Sequence, residues 1–265
     1  MTGAITSAPC IGVFDSGVGG LSVLDALRRR LPHARLVYLG DVAHAPYGER
    51  DAADVVQRCH RIVAHLASLG ARVIVVACNT ATVLGIHDLR QRWPDLTFVG
   101  VEPGVKPAAL RTTTRRIAVM ATSATSGSAR LRHLIAEFAP GVHVHVQPCP
   151  GLADLIERGV HDGPELHATL APLCAGMRAA DVDTVVLGCT HYPFVADAIQ
   201  ALMGREVVLI DTATAVAERV ASLRDAVDGE RASLSVLSTG ESAAMAALLA
   251  RCRSLEQVRI APASI

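Results

Sequence analysis

Two cysteines each close a short apolar run. Val73-Ile-Val-Val76 leads into Ala77-Cys78-Asn79-Thr80, and Thr184-Val-Val-Leu187 leads into Gly188-Cys189-Thr190-His191. A thiol placed where a buried strand ends and a helix begins faces the positive end of the helix dipole, which lowers its pKa and favours the thiolate. Cys78 and Cys189 therefore stand in reactive settings. The competing reading is of two thiols that happen to cap strands, since free cysteine usually packs as a small hydrophobe. An internal echo separates the two readings. Leu66 to Thr80, ending RVIVVACNT, and Met177 to His191, ending DTVVLGCTH, run in step at a constant offset of 111 residues. In both copies hydroxyl, amide or imidazole residues follow the cysteine at once.

The chain has seven cysteines, at 10, 59, 78, 149, 174, 189 and 252, an odd number with no CxxC pair. That argues against a zinc cage and a disulfide framework. A thiol-redox protein would need a resolving cysteine close in sequence, and none is present.

Other polar clusters fall at strand ends. Asp15-Ser-Gly-Val-Gly-Gly20 follows the first apolar run and opens a helix, supplying small residues whose N–H groups could cradle a carboxylate or phosphate. It lacks dinucleotide spacing and a Walker lysine, so a plain glycine-rich turn stays open. Gly40-Asp-Val-Ala-His-Ala-Pro-Tyr-Gly48 is a long polar loop where a lid or binding loop would lie. Glu157, in Leu152-Ala-Asp-Leu-Ile-Glu-Arg, fits a helical period that ordinarily makes such a residue a solvated charge. His143 and His145 share one strand face without a third ligand nearby and read as surface residues.

Positioning these residues requires an alternating fold. Strands are expected at Ile11–Phe14, Leu36–Leu39, Val73–Val76, Phe98–Val101, Ile117–Met120, Val142–Val146, Thr184–Leu187, Val207–Ile210 and Leu234–Leu237. Helices are expected over Leu21–Arg30, Asp51–Leu69 and Ala81–Arg92. This βαβ alternation predicts an α/β fold with mostly parallel, doubly wound sheets, in which ligands bind at the carboxyl ends of the strands. Pro103-Gly104 through Pro107 and the turn at Asp211 are the expected crossings between two similar domains, 1–101 plus 211–265 and 102–210.

Composition narrows the function classes. Lys+Arg and Asp+Glu both number 25, and aromatics make up only 3%. A basic stripe with stacking rings is therefore not expected, nor is a nucleic-acid partner. The amino terminus, MTGAITSAPC, lacks the basic and apolar regions of a secretory signal, and no apolar run reaches membrane-helix length. A cytoplasmic location without a membrane partner is expected.

Taken together, DSGVGGLSVL at 15–24, LGDVAHAPYG at 39–48, VACNTAT at 76–82 and GCTHYP at 188–193 resemble the glutamate racemase family of cofactor-independent aspartate/glutamate racemases. VEPGVKPA at 101–108, CPGLADLIERG at 149–159, IDTATAVA at 210–217 and STGE at 238–241 fit as well, so the resemblance covers nearly all of 10–245. It implies two similar domains enclosing the substrate between them, no pyridoxal phosphate or other cofactor, no metal, and one catalytic cysteine from each domain. It further implies that Cys78 and Cys189 are the proton donor/acceptor pair, with Asp15 assisting the first, His191 the second, and Glu157 close to the second. Asp15, Ser16, Tyr47, Gly48, Asn79, Thr80, Thr190 and His191 would bind a glutamate substrate, with Thr122 and Thr125 adding contacts. D-glutamate supply for peptidoglycan would follow, and a homodimer is left open. The chain departs from the family pattern at Gly104, where Ala is common, at Thr212, where Ser is common, and in the lead segment Met1–Pro9.

The chemistry has its own logic. Inverting a stereocentre by deprotonation needs one group to remove a proton on one face and another to deliver one on the opposite face. One thiolate and one thiol meet that need. An aspartate or hydantoin racemase would share the cysteines but differ in its side-chain pocket. A non-catalytic two-domain binding protein gives no reason for the cysteines.

Overall fold

The computed structural model describes residues 9–223, 232–241, 243–255 and 258–265. Of the lead segment Met1–Pro9, all but Pro9 lies outside the described residues. The first half of the chain lays down β1 (Cys10–Asp15), α1 (Leu21–Arg30), β2 (Arg35–Gly40), α2 (Ala52–Ser68), β3 (Ala71–Val76), α3 (Asn79–Arg92), β4 (Thr97–Gly100) and α4 (Val105–Arg111). There follow β5 (Arg116–Ala121), α5 (Ser123–Ser126), α6 (Ala129–Phe138), β6 (His143–Pro148), α7 (Leu152–Glu157), α8 (Pro164–Ala179) and β7 (Thr184–Leu187). The chain ends through α9 (Ala196–Met203), β8 (Val208–Ile210), α10 (Ala213–Ala221), β9 (Ser233–Ser238), α11 (Ala243–Arg251) and β10 (Ile260–Pro262).

Two parallel sheets result. One has the order β10-β9-β2-β1-β3-β4 and the other β6-β5-β7-β8. Both faces of each sheet are covered. Ile11 and Val13 of β1 point into one apolar cluster with α1, α10 and α11, while Cys10 and Phe14 point into another with α2 and α3. In β5, Ile117 and Val119 face one cluster and Ala118 and Met120 the other. A strand buried on both faces reads as a continuous apolar run, which is why the nine expected strands match observed ones.

Differences sit at ends and edges. α3 starts at Asn79, two residues before its expected start, because the Cys78 thiol accepts from the Ala81 N–H and caps the first turn. The three-residue β10 was not expected, since Pro262 and the brevity of the run hide an edge strand. β6 is an edge strand on which His143 is exposed and His145 Nε2 lies 3.2 Å from Gln147 Oε1. No helix among the described residues is long and apolar enough to cross a membrane.

Candidate functional site

The polar residues collect at the carboxyl ends of the parallel strands, where strand carbonyls give way to helix N-termini. Asp15 is the last residue of β1 and fully buried. Its Oδ1 accepts from the Gly17 N–H at 2.8 Å, and its Oδ2 accepts at 3.0 Å from the hydroxyl of Thr190, which follows β7 in the other sheet. Cys78 lies two residues past β3, 5% exposed, with its thiol 3.6 Å from Ser16 Oγ. Cys189 lies two residues past β7, 6% exposed, with its sulfur 3.5 Å from His191 Nδ1.

His191 connects to Glu157. Nε2 and Glu157 Oε1 are 2.6 Å apart, and the same oxygen accepts from the Val18 N–H at 2.8 Å. The anion-cradling N–H expected of the Gly-rich loop is thus present, and the anion it holds is the carboxylate of α7. The glycines serve a second purpose, which is clearance. A Cβ at Gly17 would overlap Glu157 Oε1, and one at Gly19 would overlap His191 Nδ1. Ser22 adds a strap, with its hydroxyl 2.9 Å from the Gly19 carbonyl and 3.1 Å from that of Thr190.

The hydroxyls of Thr80 and Thr122 meet across the two sheets at 3.0 Å, and Thr122 donates on to Thr125 at 3.2 Å. Gly48 backs onto Thr122 so closely that a Cβ would stand 3.1 Å from Thr122 Cβ. Asn79 Nδ2 donates to the Val101 carbonyl, while its Oδ1 is buried without a hydrogen-bond partner. The structure therefore brings Asp15, Ser16, Cys78, Glu157, Cys189, Thr190 and His191 into one linked set, with Gly48, Thr80, Thr122 and Thr125 in a second. The side chain of Tyr47 belongs to neither. Its hydroxyl donates to Asp41 at 2.6 Å, and the ring is fully buried. A cavity of about 630 Å³ opens beside the second set, lined by Pro46, Gly48, Thr122, Ser123, Cys149 and Asp154 among others.

Electrostatics alter one expectation. Helix-dipole reasoning places the Cys78 thiol below its ordinary pKa, yet burial and then the nearby Asp15 carboxylate push it up to about 12, against the Ala81 N–H and Ser16 hydroxyl. Desolvation outweighs one capping N–H, so Cys78 rests as a thiol. Burial, reinforced by Glu157, likewise lifts Asp15 to about 6, although His191, the Gly17 N–H and Thr190 oppose it. At His191 burial works against the charged ring, but Cys189 and Glu157 together raise it well above its ordinary value. Donor atoms of Asp15, Glu157 and His191 lie within 4.8 Å of one another, a spacing a metal could use. The carboxylate oxygens already accept from N–H or O–H donors and His191 Nε2 pairs with Glu157, which accounts for the cluster as a hydrogen-bond network.

Sequence reasoning missed Asp41, Arg58, Ser22 and Tyr38. Tyr38 donates from the sheet to the Gly17 carbonyl at 3.0 Å and fixes the glycine loop from beneath. The one legible signal among them was Asp41, an acid immediately after a strand within the polar loop already singled out.

Comparison with known proteins identifies the family. Residues 9–220 match the family described as Asp/Glu/Hydantoin racemase. A glutamate racemase of Pseudomonas aeruginosa is 49% identical over 224 residues, 83% of this chain and 84% of its own length. A glutamate racemase isoform from Bacillus anthracis superposes with a TM-score of 0.87 at 28% identity, over 97% of this chain and 98% of that one. The Escherichia coli glutamate racemase, solved with L-glutamate and the activator UDP-MurNAc-ala, gives 0.85 at 30% identity over 97% and 98%. With two parallel α/β units, paired strand-end cysteines and a family match spanning four-fifths of its length, the chain belongs to the Asp/Glu/Hydantoin racemase family of isomerases.

Proposed function

We propose that this chain interconverts L- and D-glutamate by a two-base proton transfer, with Cys78 and Cys189 on opposite faces of the α-carbon. The carrying observation is that each thiol has its own ionisable neighbours: the Asp15 carboxylate acts on Cys78, and the His191–Glu157 pair stands against Cys189. Burial and Asp15 keep Cys78 protonated, the state that the proton-delivering cysteine must hold before turnover, and His191 is the ionisable partner set against Cys189. Inversion requires one cysteine protonated and the other deprotonated at the start of each turnover. By family resemblance Cys78 takes the proton of D-glutamate and Cys189 that of L-glutamate. The unpartnered Oδ1 of Asn79 is an acceptor suited to the substrate ammonium, and the threonine hydroxyls suit its carboxylates. Fixed donors in a closed site stabilise the carbanion in place of a cofactor.

On this reading the domains are 1–101 plus 211–265 and 102–210, which is supported by α10 packing into the apolar cluster of the first sheet directly after β8. The product would supply D-glutamate for peptidoglycan in the cytoplasm.

Proton labelling tests the mechanism. L-glutamate turned over in heavy water and stopped at low conversion should give D-glutamate carrying α-deuterium, with recovered L-glutamate still protiated by mass spectrometry. Product rich in protium, or substrate labelled as fast as product forms, contradicts separate roles for the two cysteines. Starting from D-glutamate should mirror the pattern.

A pH profile tests the partner assignment. Asp15 must be ionised to act as a base toward Cys78, so kcat/KM should fall as pH drops through about 6. Asp15→Asn should lose that limb and slow turnover. Because the equilibrium constant between enantiomers is unity, kcat/KM must stay equal in the two directions, so any difference in kcat between them must be matched by one in KM. His191→Asn should distort the opposite direction. An unchanged limb in Asp15→Asn removes Asp15 from the mechanism.

A further inference from the structure

The fully buried carboxylate of Asp41, just past β2, is the hub of a network that no part of the proton-transfer scheme uses. Arg58, on the inner face of α2, grips it with two prongs, Nε to Oδ2 at 2.7 Å and Nη2 to Oδ1 at 2.8 Å. Tyr47 donates to Oδ2, Thr239 donates to Oδ1 at 2.8 Å, and His44 Nδ1 stands 3.1 Å from Oδ1. The remaining Arg58 nitrogen, Nη1, donates to the main-chain oxygen of Ile265 at 2.8 Å. Ala263 and Ile265 pack on the apolar cluster beneath α2, so the arginine is braced from behind.

Burial alone would raise the Asp41 carboxyl, but the Arg58 fork and the Tyr47 and Thr239 hydroxyls hold it below its ordinary value. The carboxylate is thus a fixed charge in a dry place, and its only close full countercharge among the described residues is Arg58. Through Tyr47 that charge seats the next residue, Gly48, against Thr122 at the junction of the two sheets.

The geometry points to Arg58 as a positioning residue for substrate binding: it fixes Asp41, Asp41 holds Tyr47, and Tyr47 sets Gly48 and the 42–49 loop against the other half of the molecule. This rests on the proposed reading that glutamate binds beside the Gly48–Thr122 contact. The fork matters as much as the charge, since a lysine offers one point of attachment where Asp41 uses two.

Arg58→Ala and Arg58→Lys test it by steady-state kinetics with both enantiomers. The alanine variant should raise KM for L- and D-glutamate by about tenfold or more while kcat stays within about threefold, because the loop contributes to binding in ground and transition states alike. The lysine variant should fall between it and wild type. A cavity of about 200 Å³ lined by His44, Arg50, Arg58 and Arg61 opens over the fork. Sub-denaturing guanidinium should therefore restore KM in Arg58→Ala, and methylammonium should not. Trypsin cleavage after the exposed Arg50 supplies a readout independent of turnover. It should accelerate about tenfold in Arg58→Ala and slow again with guanidinium. Were kcat to fall with KM unchanged and Tm dropping in step, Arg58 would be merely structural. Cleavage after Arg50 as slow as in wild type would also overturn the proposal. Should the wild-type chain fail to racemise glutamate, the functional reading falls, while the trypsin result still decides whether Arg58 holds the loop.

Discussion

Cys78→Ala and Cys189→Ala should each lower kcat/KM in both directions by roughly three to four orders of magnitude, the scale of losing a general acid or base from a closed site. The loss must appear in both directions because a racemase lacking one proton carrier can neither finish the forward reaction nor start the reverse one. Neither substitution should unfold the chain. Cys78 makes two weak contacts, accepting from the Ala81 N–H and donating to Ser16 Oγ, and Cys189 is one small member of a large apolar cluster. Loss of a single sulfur from each should cost about 1 kcal/mol, a Tm shift of about 2–4 °C. Polarimetry on the purified variants, beside thermal unfolding, makes the measurement. Racemisation by either variant within about tenfold of wild type would end the two-thiol mechanism.

Gly19→Ala carries the second largest expected effect, although it adds a single methyl group and removes no ionisable residue. Gly19 needs no backbone conformation closed to alanine, so the objection is purely one of space. The new Cβ would overlap His191 Nδ1, come within 2.6 Å of its Cε1 and lie 2.7 Å from Thr190 Oγ1. The neighbour that would have to give is an imidazole held at its far end by Glu157, so the two halves must part or the ring must turn away from Cys189. Displacement of about 1 Å at a reacting group costs on the order of 100-fold in rate. We expect kcat/KM to fall by at least that much with the fold retained. Gly85→Ala is the control, since its Cβ would make ordinary contacts of 3.7 Å with Val56 and 4.0 Å with Cys59 in the middle of α3. That variant should match wild-type kinetics and gain a few tenths to about 1 kcal/mol from helix propensity. Wild-type kinetics in Gly19→Ala would mean that the two halves do not need to meet this closely.

The strands were legible because a parallel sheet covered on both sides leaves unbroken Val and Ile runs, as in Val73–Val76. The cysteine pair was legible because the echo places both at one offset. Arg58 was not, since an arginine within an amphipathic helix looks like a solvated charge, and its partner Asp41 lies 17 residues away with Thr239 a further 198 from Asp41. Glu157 shows the same limit. Helical period alone makes it a surface acid, and only the approach of the glycine loop from 139 residues upstream gives it a neighbour that matters. The cysteine environment was misjudged for a related reason: a strand-to-helix junction advertises its dipole in the sequence, while the depth of burial that outweighs it comes from distant chain.

The double use of Glu157 Oε1 ties shape to protonation. Because one oxygen receives both the Val18 N–H of the first half and Nε2 of His191, the free energy of bringing the halves together and the free energy of holding a proton on that imidazole are linked terms of one cycle. Whatever moves Val18 away from Glu157 therefore changes the proton affinity of the imidazole, and a change in the ring's protonation changes how tightly that contact between the sheets is held.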